Sequence, residues 1–173
     1  DGSLDSDFGV MGFVRATKDE TWHQPWGEEN DVRNHYNELT MKLAQRKGLK
    51  RQLTIVFRVF DDGMGFRYVF PEQKNLKHFV IMDEETEFCF KGDPEAWTLP
   101  YDADYYEGLW TKAPLSKKQK VCTPITIEAK PDLYMMLHEA NLTDYASLNV
   151  KPVETKEGNV RMRAELVPWS NGD

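Results

Sequence analysis

The stretch Leu53-Thr54-Ile55-Val56-Phe57-Arg58-Val59-Phe60 constrains the fold more than any other part of the chain. It is rich in β-branched and aromatic residues, which suit a pleated backbone, and Leu53, Ile55, Phe57 and Val59 share one face at period two. The run stops at Asp61-Asp62-Gly63-Met64-Gly65, a turn signal whose glycines can supply positive φ. Phe66-Arg67-Tyr68-Val69-Phe70 then alternates again as far as Pro71. Two strands joined by a short Asp/Gly loop make a hairpin.

Further strands are expected at residues 78–82 and 87–90. Residues 124–129 and 133–139 form a second hairpin around Lys130-Pro131-Asp132, and residues 145–152 and 160–167 a third around Lys156-Glu157-Gly158-Asn159. Residues 32–44 read as a helix or, from their alternation, at least as well as a strand. A short helical turn is expected within residues 100–108. Repeated strands separated by polar turns imply an all-β chain, an antiparallel β-sandwich or barrel forming a single domain over residues 1–173.

The chain has 173 residues, enough for a real core, and a formal net charge of −7 with acidic residues spread throughout. A nucleic-acid partner needs a basic face, so none is expected. The basic stretch from Lys42 to Arg51, and Lys117, Lys118 and Lys120, sit beside Gly or Pro and read as solvated turns. No apolar run approaches the ~18 residues of a membrane span, and no leader opens the chain. Asp1-Gly2-Ser3 reads as the middle of a surface turn. Cys89 and Cys122 are the only cysteines, too few for a disulfide framework or a cysteine-rich zinc site. Each lies in an alternating apolar run, so two buried free thiols are expected rather than a bridge.

Longer words in the sequence carry a resemblance. Gln24-Pro25-Trp26-Gly27-Glu28, Val32-Arg33-Asn34-His35-Tyr36-Asn37-Glu38-Leu39 and Phe57-Arg58-Val59-Phe60-Asp61-Asp62-Gly63-Met64-Gly65-Phe66-Arg67-Tyr68 resemble the N-terminal domain of glycoside hydrolase family 97. The likeness continues through Thr111-Lys112-Ala113-Pro114-Leu115, Thr123-Pro124 and His138-Glu139-Ala140-Asn141-Leu142-Thr143-Asp144-Tyr145, and ends at Leu166-Val167-Pro168-Trp169. The resemblance implies a β-super-sandwich of galactose-mutarotase-like type that packs on a catalytic (β/α)₈ barrel of its own polypeptide. The parent would be a Bacteroidetes exo-acting α-glucosidase or α-galactosidase acting on α-linked oligosaccharides, in the periplasm or secreted. It further implies that the family's first strands precede residue 1 and that the barrel follows residue 173. The catalytic carboxylates would then lie in the barrel, leaving no catalytic residue in this chain. A glutamate of the family's N-terminal domain joins barrel carboxylates on a calcium ion, and the matching word places it at Glu139.

Read without the resemblance, Glu139 is a charge ending the apolar strand Leu133-Tyr134-Met135-Met136-Leu137, with His138 pointing to the opposite face. Strand-end charges are ordinarily solvated. A carboxylate at the tip of a buried strand nonetheless gains from a cation, and calcium takes 6–8 oxygen ligands. His138 lacks the His/Cys company of a zinc site and reads as a packed or hydrogen-bonded histidine. Asp83, Glu84 and Glu85 form an acidic run of solvated type, and Asp61 and Asp62 are turn formers. Asn141-Leu142-Thr143 is a sequon that would matter only in a eukaryotic secretory path, and the bacterial resemblance makes it incidental. Trp22, Trp26, Trp97, Trp110 and Trp169 could stack on sugars, but large aromatics more often pack in a core or between domains, and Trp169 is assigned to barrel packing. The competing functions are an autonomous carbohydrate-binding sandwich, which requires an exposed aromatic platform, and a structural or interaction module.

Overall fold

The computed structural model describes residues 4, 6–102, 105 and 107–167. The expected class is observed: the described residues form antiparallel strands, with one short 3-10 turn and no α-helix. Backbone packing divides the chain into two compact units, Asp1–Val80 and Ile81–Asp173.

The first unit is a four-stranded antiparallel meander of β1 (Phe8–His23), β2 (Asp31–Gln45), β3 (Gln52–Val59) and β4 (Met64–Val69) in that order. Residues 32–44 are thus strand, not helix. β3 and β4 pair as the hairpin expected, Val59 opposite Met64, and the Phe60 N–H donates to the Gly63 carbonyl at 2.8 Å. Gly63 and Gly65 do not use positive φ; the turn is made by Asp61 and Asp62, and Gly65 is already inside β4. β1 and β2 run past the end of β3, so residues 18–23 and 31–36 form a two-stranded ribbon. Such ribbons are marginal alone, and polar cross-strand pairs support this one. The Arg33 guanidinium grips Asp19 through Nε at 2.8 Å and Nη2 at 2.6 Å, and Asn34 donates to Glu20 at 3.0 Å. The basic stretch 42–51 is only partly a solvated turn: Lys42 is in β2, and Arg51 is buried, donating from Nε to Gln45 Oε1 at 2.9 Å.

The second unit is a seven-stranded antiparallel sheet of β5 (Glu87–Phe90), β6 (Glu95–Pro100), β7 (Thr111–Pro114), β8 (Val121–Lys130), β9 (Leu133–Leu137), β10 (Leu148–Lys156) and β11 (Asn159–Leu166). The order is β5-β11-β10-β8-β6-β7, with β9 paired to β8 alone. β8 changes partner along its length: Val121 and Cys122 face β10, while residues 125–130 face β9. The second and third expected hairpins are therefore present, turning at Asp132 (φ 63°) and at Glu157-Gly158 (φ 54° and 73°). Alternate residues of this sheet supply the core, Ala96, Val121, Ile125, Ile127, Val150, Val160 and Met162, joined by Leu115 of the 3-10 turn (Leu115–Lys117). The opposite face carries ion pairs: Lys112 with Glu95 and Glu128, Arg161 with Glu87, and Glu165 with Lys120 and Lys151.

Three expectations are corrected. Residues 78–82 are not strand, although apolar, because no neighbouring strand completes their backbone bonds; they join the two units. Cys89 and Cys122 are free as expected, but Cys89 is exposed and Cys122 half-buried, because Cys89 alternates outward between the inward Phe88 and Phe90. Burial pushes the Cys122 thiol above its usual value. The helical turn within residues 100–108 falls partly outside the described residues; Pro100 ends β6 and the described remainder is not helical.

Candidate functional site

Glu139 sits in the loop, residues 138–147, that joins β9 to β10. β9 stops at Leu137, two residues earlier, and its side chains are largely exposed because it has a strand on one side only. The expected buried strand tip is therefore absent, and the alternation argument for His138 and Glu139 does not apply to them. The half-buried setting of Glu139 comes instead from the loop folding back on β10. The Leu148 N–H donates to Glu139 Oε2 at 3.1 Å. Thr123 Oγ1 donates to the Leu148 carbonyl at 3.0 Å, so the long 3.4 Å contact from His138 Nδ1 uses a ring N–H. His138 is exposed and hydrogen-bonded, and no zinc-type group surrounds it among the described residues.

The far end of the loop is held by another carboxylate. Tyr145 donates its phenolic hydrogen to Glu84 Oε2 at 2.9 Å, and Thr86 donates to Glu84 Oε1 at 2.7 Å. The acidic run is therefore not wholly a solvated face: Glu84 is half-buried and pins the loop, while Asp83 and Glu85 are exposed. Sequence reading missed this role, since Glu84 and Tyr145 lie far apart in the chain and nothing in either segment points to the other. Asn141 and Asp144 adopt left-handed backbone (φ 56° and 52°), which their short polar side chains tolerate and which lets the loop turn twice.

One carboxylate oxygen of Glu139 is occupied by the backbone, leaving Oε1 able to meet a cation. No group of three or more His, Cys, Asp or Glu side chains gathers as a metal centre among the described residues.

The four described tryptophans do not pack in the core. Trp22, Trp26, Trp97 and Trp110 are all exposed, Trp26 at the ribbon tip most of all at 80%; Trp169 lies outside the described residues. Trp97 stands opposite Thr126 and Thr126 opposite Met136, while Tyr134 stands opposite Glu128. Trp97, Met136 and Tyr134 therefore share the outward face of the seven-stranded sheet. Lys112 bonds Glu128 at 2.5 Å on the same face.

Among the described residues no helix is long and apolar enough to cross a membrane. The family model for the glycosyl-hydrolase 97 N-terminal domain matches residues 1–170. A retaining alpha-galactosidase of Bacteroides thetaiotaomicron is 27% identical over 175 residues, covering 92% of this chain and 24% of that protein. A glycoside hydrolase family 97 enzyme from Pseudoalteromonas sp. strain K8, solved with acarbose, aligns with a TM-score of 0.86 at 31% identity over 96% of this chain and 25% of its own. Its complex with panose aligns to the same degree. The crystal structure of a beta-arabinopyranosidase shares the fold, with a TM-score of 0.74 at 21% identity. The chain spans about a quarter of the length of these relatives. With nearly every residue matched by one family model, the chain belongs to the glycosyl-hydrolase 97 N-terminal family.

Proposed function

We propose that the chain is the accessory domain of an exo-acting α-glycosidase, packing on the catalytic barrel of its own polypeptide and lending Glu139 to a calcium ion at the active site. The names of the relatives support an α-linked oligosaccharide as substrate, an α-galactoside or an α-glucoside; a periplasmic or secreted location rests on the family resemblance alone. The observation that carries the metal reading is the fixing of Glu139 by the Leu148 N–H, with its second oxygen left available. When bound, calcium supplies a concentrated positive charge that attracts substrate oxygens and steadies neighbouring carboxylates. The loop's part is to hold the Glu139 carboxylate in one orientation: Leu148 N–H anchors one oxygen, and Thr123 and His138 anchor the strand that Leu148 opens.

The test is Glu139→Gln in the parent enzyme. The amide keeps the shape but loses the charge, and calcium affinity is tuned by ligand charge. Calcium dependence should shift to higher concentration and turnover of nitrophenyl α-galactoside or α-glucoside should fall at least tenfold, with the domain still folded by thermal melt. Unchanged calcium dependence and turnover would reduce Glu139 to a loop anchor.

An autonomous carbohydrate-binding module is a second reading, favoured by the exposed Trp97 and Tyr134 on one sheet face. Isothermal titration of the chain with maltooligosaccharides separates the two: heat of binding that is lost in Trp97→Ala belongs to the module reading.

A further inference from the structure

The loop that carries Glu139 has little of its own to hold it. Residues 140–145 are all exposed, so apolar burial does not fix its course. From Glu139 to Asp144 no backbone–backbone hydrogen bond forms among the described residues. Asn141 and Asp144 take left-handed backbone, which short polar residues tolerate but do not prefer. A segment of this kind opens at little cost unless its ends are tied.

Both ends are tied, and to the same pair of strands. At one end Glu139 Oε2 accepts the N–H of Leu148, where β10 begins, at 3.1 Å. At the other the Tyr145 hydroxyl donates to Glu84 Oε2 at 2.9 Å, across 61 positions of chain. Glu84 is itself fixed: its Oε1 accepts the Thr86 hydroxyl at 2.7 Å, and its N–H donates to Asp83 Oδ1 at 2.8 Å. The Thr86 carbonyl in turn accepts the Ala164 N–H of β11 at 2.8 Å. β10 and β11 pair directly, Leu148 opposite Leu166. The bonds therefore close a circuit from β11 through Thr86, Glu84 and Tyr145 to the loop, and from Glu139 back to β10. Just after the loop, the Val167 N–H donates to the Ser147 carbonyl at 3.1 Å, so a cut at Tyr145 loosens the loop without freeing β10.

We propose, on the reading of Glu139 as a calcium ligand, that the Tyr145–Glu84 bond sets the bearing of its carboxylate, so that Glu84 and Tyr145 are positioning residues for the metal. A carboxylate already held in its binding orientation gives up less freedom when a cation arrives. Both Glu84 oxygens already accept hydroxyl hydrogens, which suits an anchor and not a second ligand. Partners that orient a metal ligand are worth roughly 10- to 100-fold in affinity, and a pair acting through a loop backbone belongs at the low end.

The test is calcium titrated calorimetrically into the metal-free parent enzyme, with amide exchange across residues 138–148 followed by mass spectrometry. Tyr145→Phe removes the donor and keeps the ring, Glu84→Ala removes the acceptor, and Glu84→Gln keeps an oxygen for the tyrosine. The first two should weaken calcium binding about tenfold and speed exchange of the loop and Leu148 amides, while Glu84→Gln should bind calcium like the unaltered enzyme. Glu84→Ala combined with Tyr145→Phe should bind no more weakly than Glu84→Ala alone, because both cut the same bond. Faster exchange or a lower melting temperature with unchanged calcium affinity would make the bond merely structural and overturn the proposal, as would additive losses in the double variant. Glu139→Gln in the same titration separates the two readings. Affinity that falls there but not in Tyr145→Phe sinks the positioning role alone; affinity untouched by Glu139→Gln sinks the ligand reading and the positioning role together.

Discussion

Glu165 shows how single residues secure the second unit. Its carboxylate lies between Lys120, at 2.9 Å, and Lys151, with its side chain only 26% exposed. Hydrogen bonds from Lys151 and Lys120 hold its pKa below the usual 4.5. A carboxyl whose folded pKa is depressed adds stability above its unfolded value and loses it as pH falls through the folded one. Glu165→Gln should therefore cost about 1 kcal/mol at pH 7, between the values for exposed and buried pairs. The difference from the parent sequence should vanish as pH drops well below 4.5, in denaturant titrations repeated across pH; a constant difference would show the charge to be irrelevant. The candidate site has the same local-against-distant character. The His138-Glu139-Ala140 word located Glu139, because a word is read along the chain. Its anchor at Leu148 and the Glu84–Tyr145 bond at the loop's other end could not be read, since both depend on how distant segments meet.

At the scale of the elements, the third hairpin offers the cleanest test. Glu157 and Gly158 both take left-handed backbone, as a two-residue turn between right-twisted strands requires. Gly158→Ala should destabilise by about 1 kcal/mol, the cost of placing a Cβ there, even though nothing lies within 4 Å of the added carbon. Met162→Ala, in the core behind the same hairpin, should cost about 2–5 kcal/mol by leaving a cavity. Urea midpoints of the two variants check the order, and a larger loss at Gly158 would contradict it. The three hairpins were legible because alternation and turn chemistry agree within a few residues. β1 was not: its strongest period-two signal is interrupted by Gly9 and Gly12, and from Arg15 to Glu20 it is polar on both faces, as a ribbon strand can be. β6 and β7 are short and separated by a long connection, so their pairing is non-local. Residues 78–82 erred the other way, showing that apolar β-formers make a strand only where a partner exists.

The two units of the chain bury unequal amounts of apolar side chain. Large fully buried side chains, Leu115, Ile125, Ile127, Met162 and Val150 among them, belong to the second unit; the first buries Tyr36, Leu53 and the Gln45–Arg51 pair. Apolar burial is the main favourable term in folding, so the free energy of opening should differ between the units. Unfolding of the 173-residue chain should then proceed in two steps, the first unit melting before the second. Native-state hydrogen exchange would assign them: amides of Ile127, Val150 and Met162 should exchange only through the later opening, those of Ile55, Phe57 and Phe66 through the earlier one. One cooperative transition in the isolated chain, with all these amides exchanging at a single free energy, would show that the two units open together despite their unequal burial.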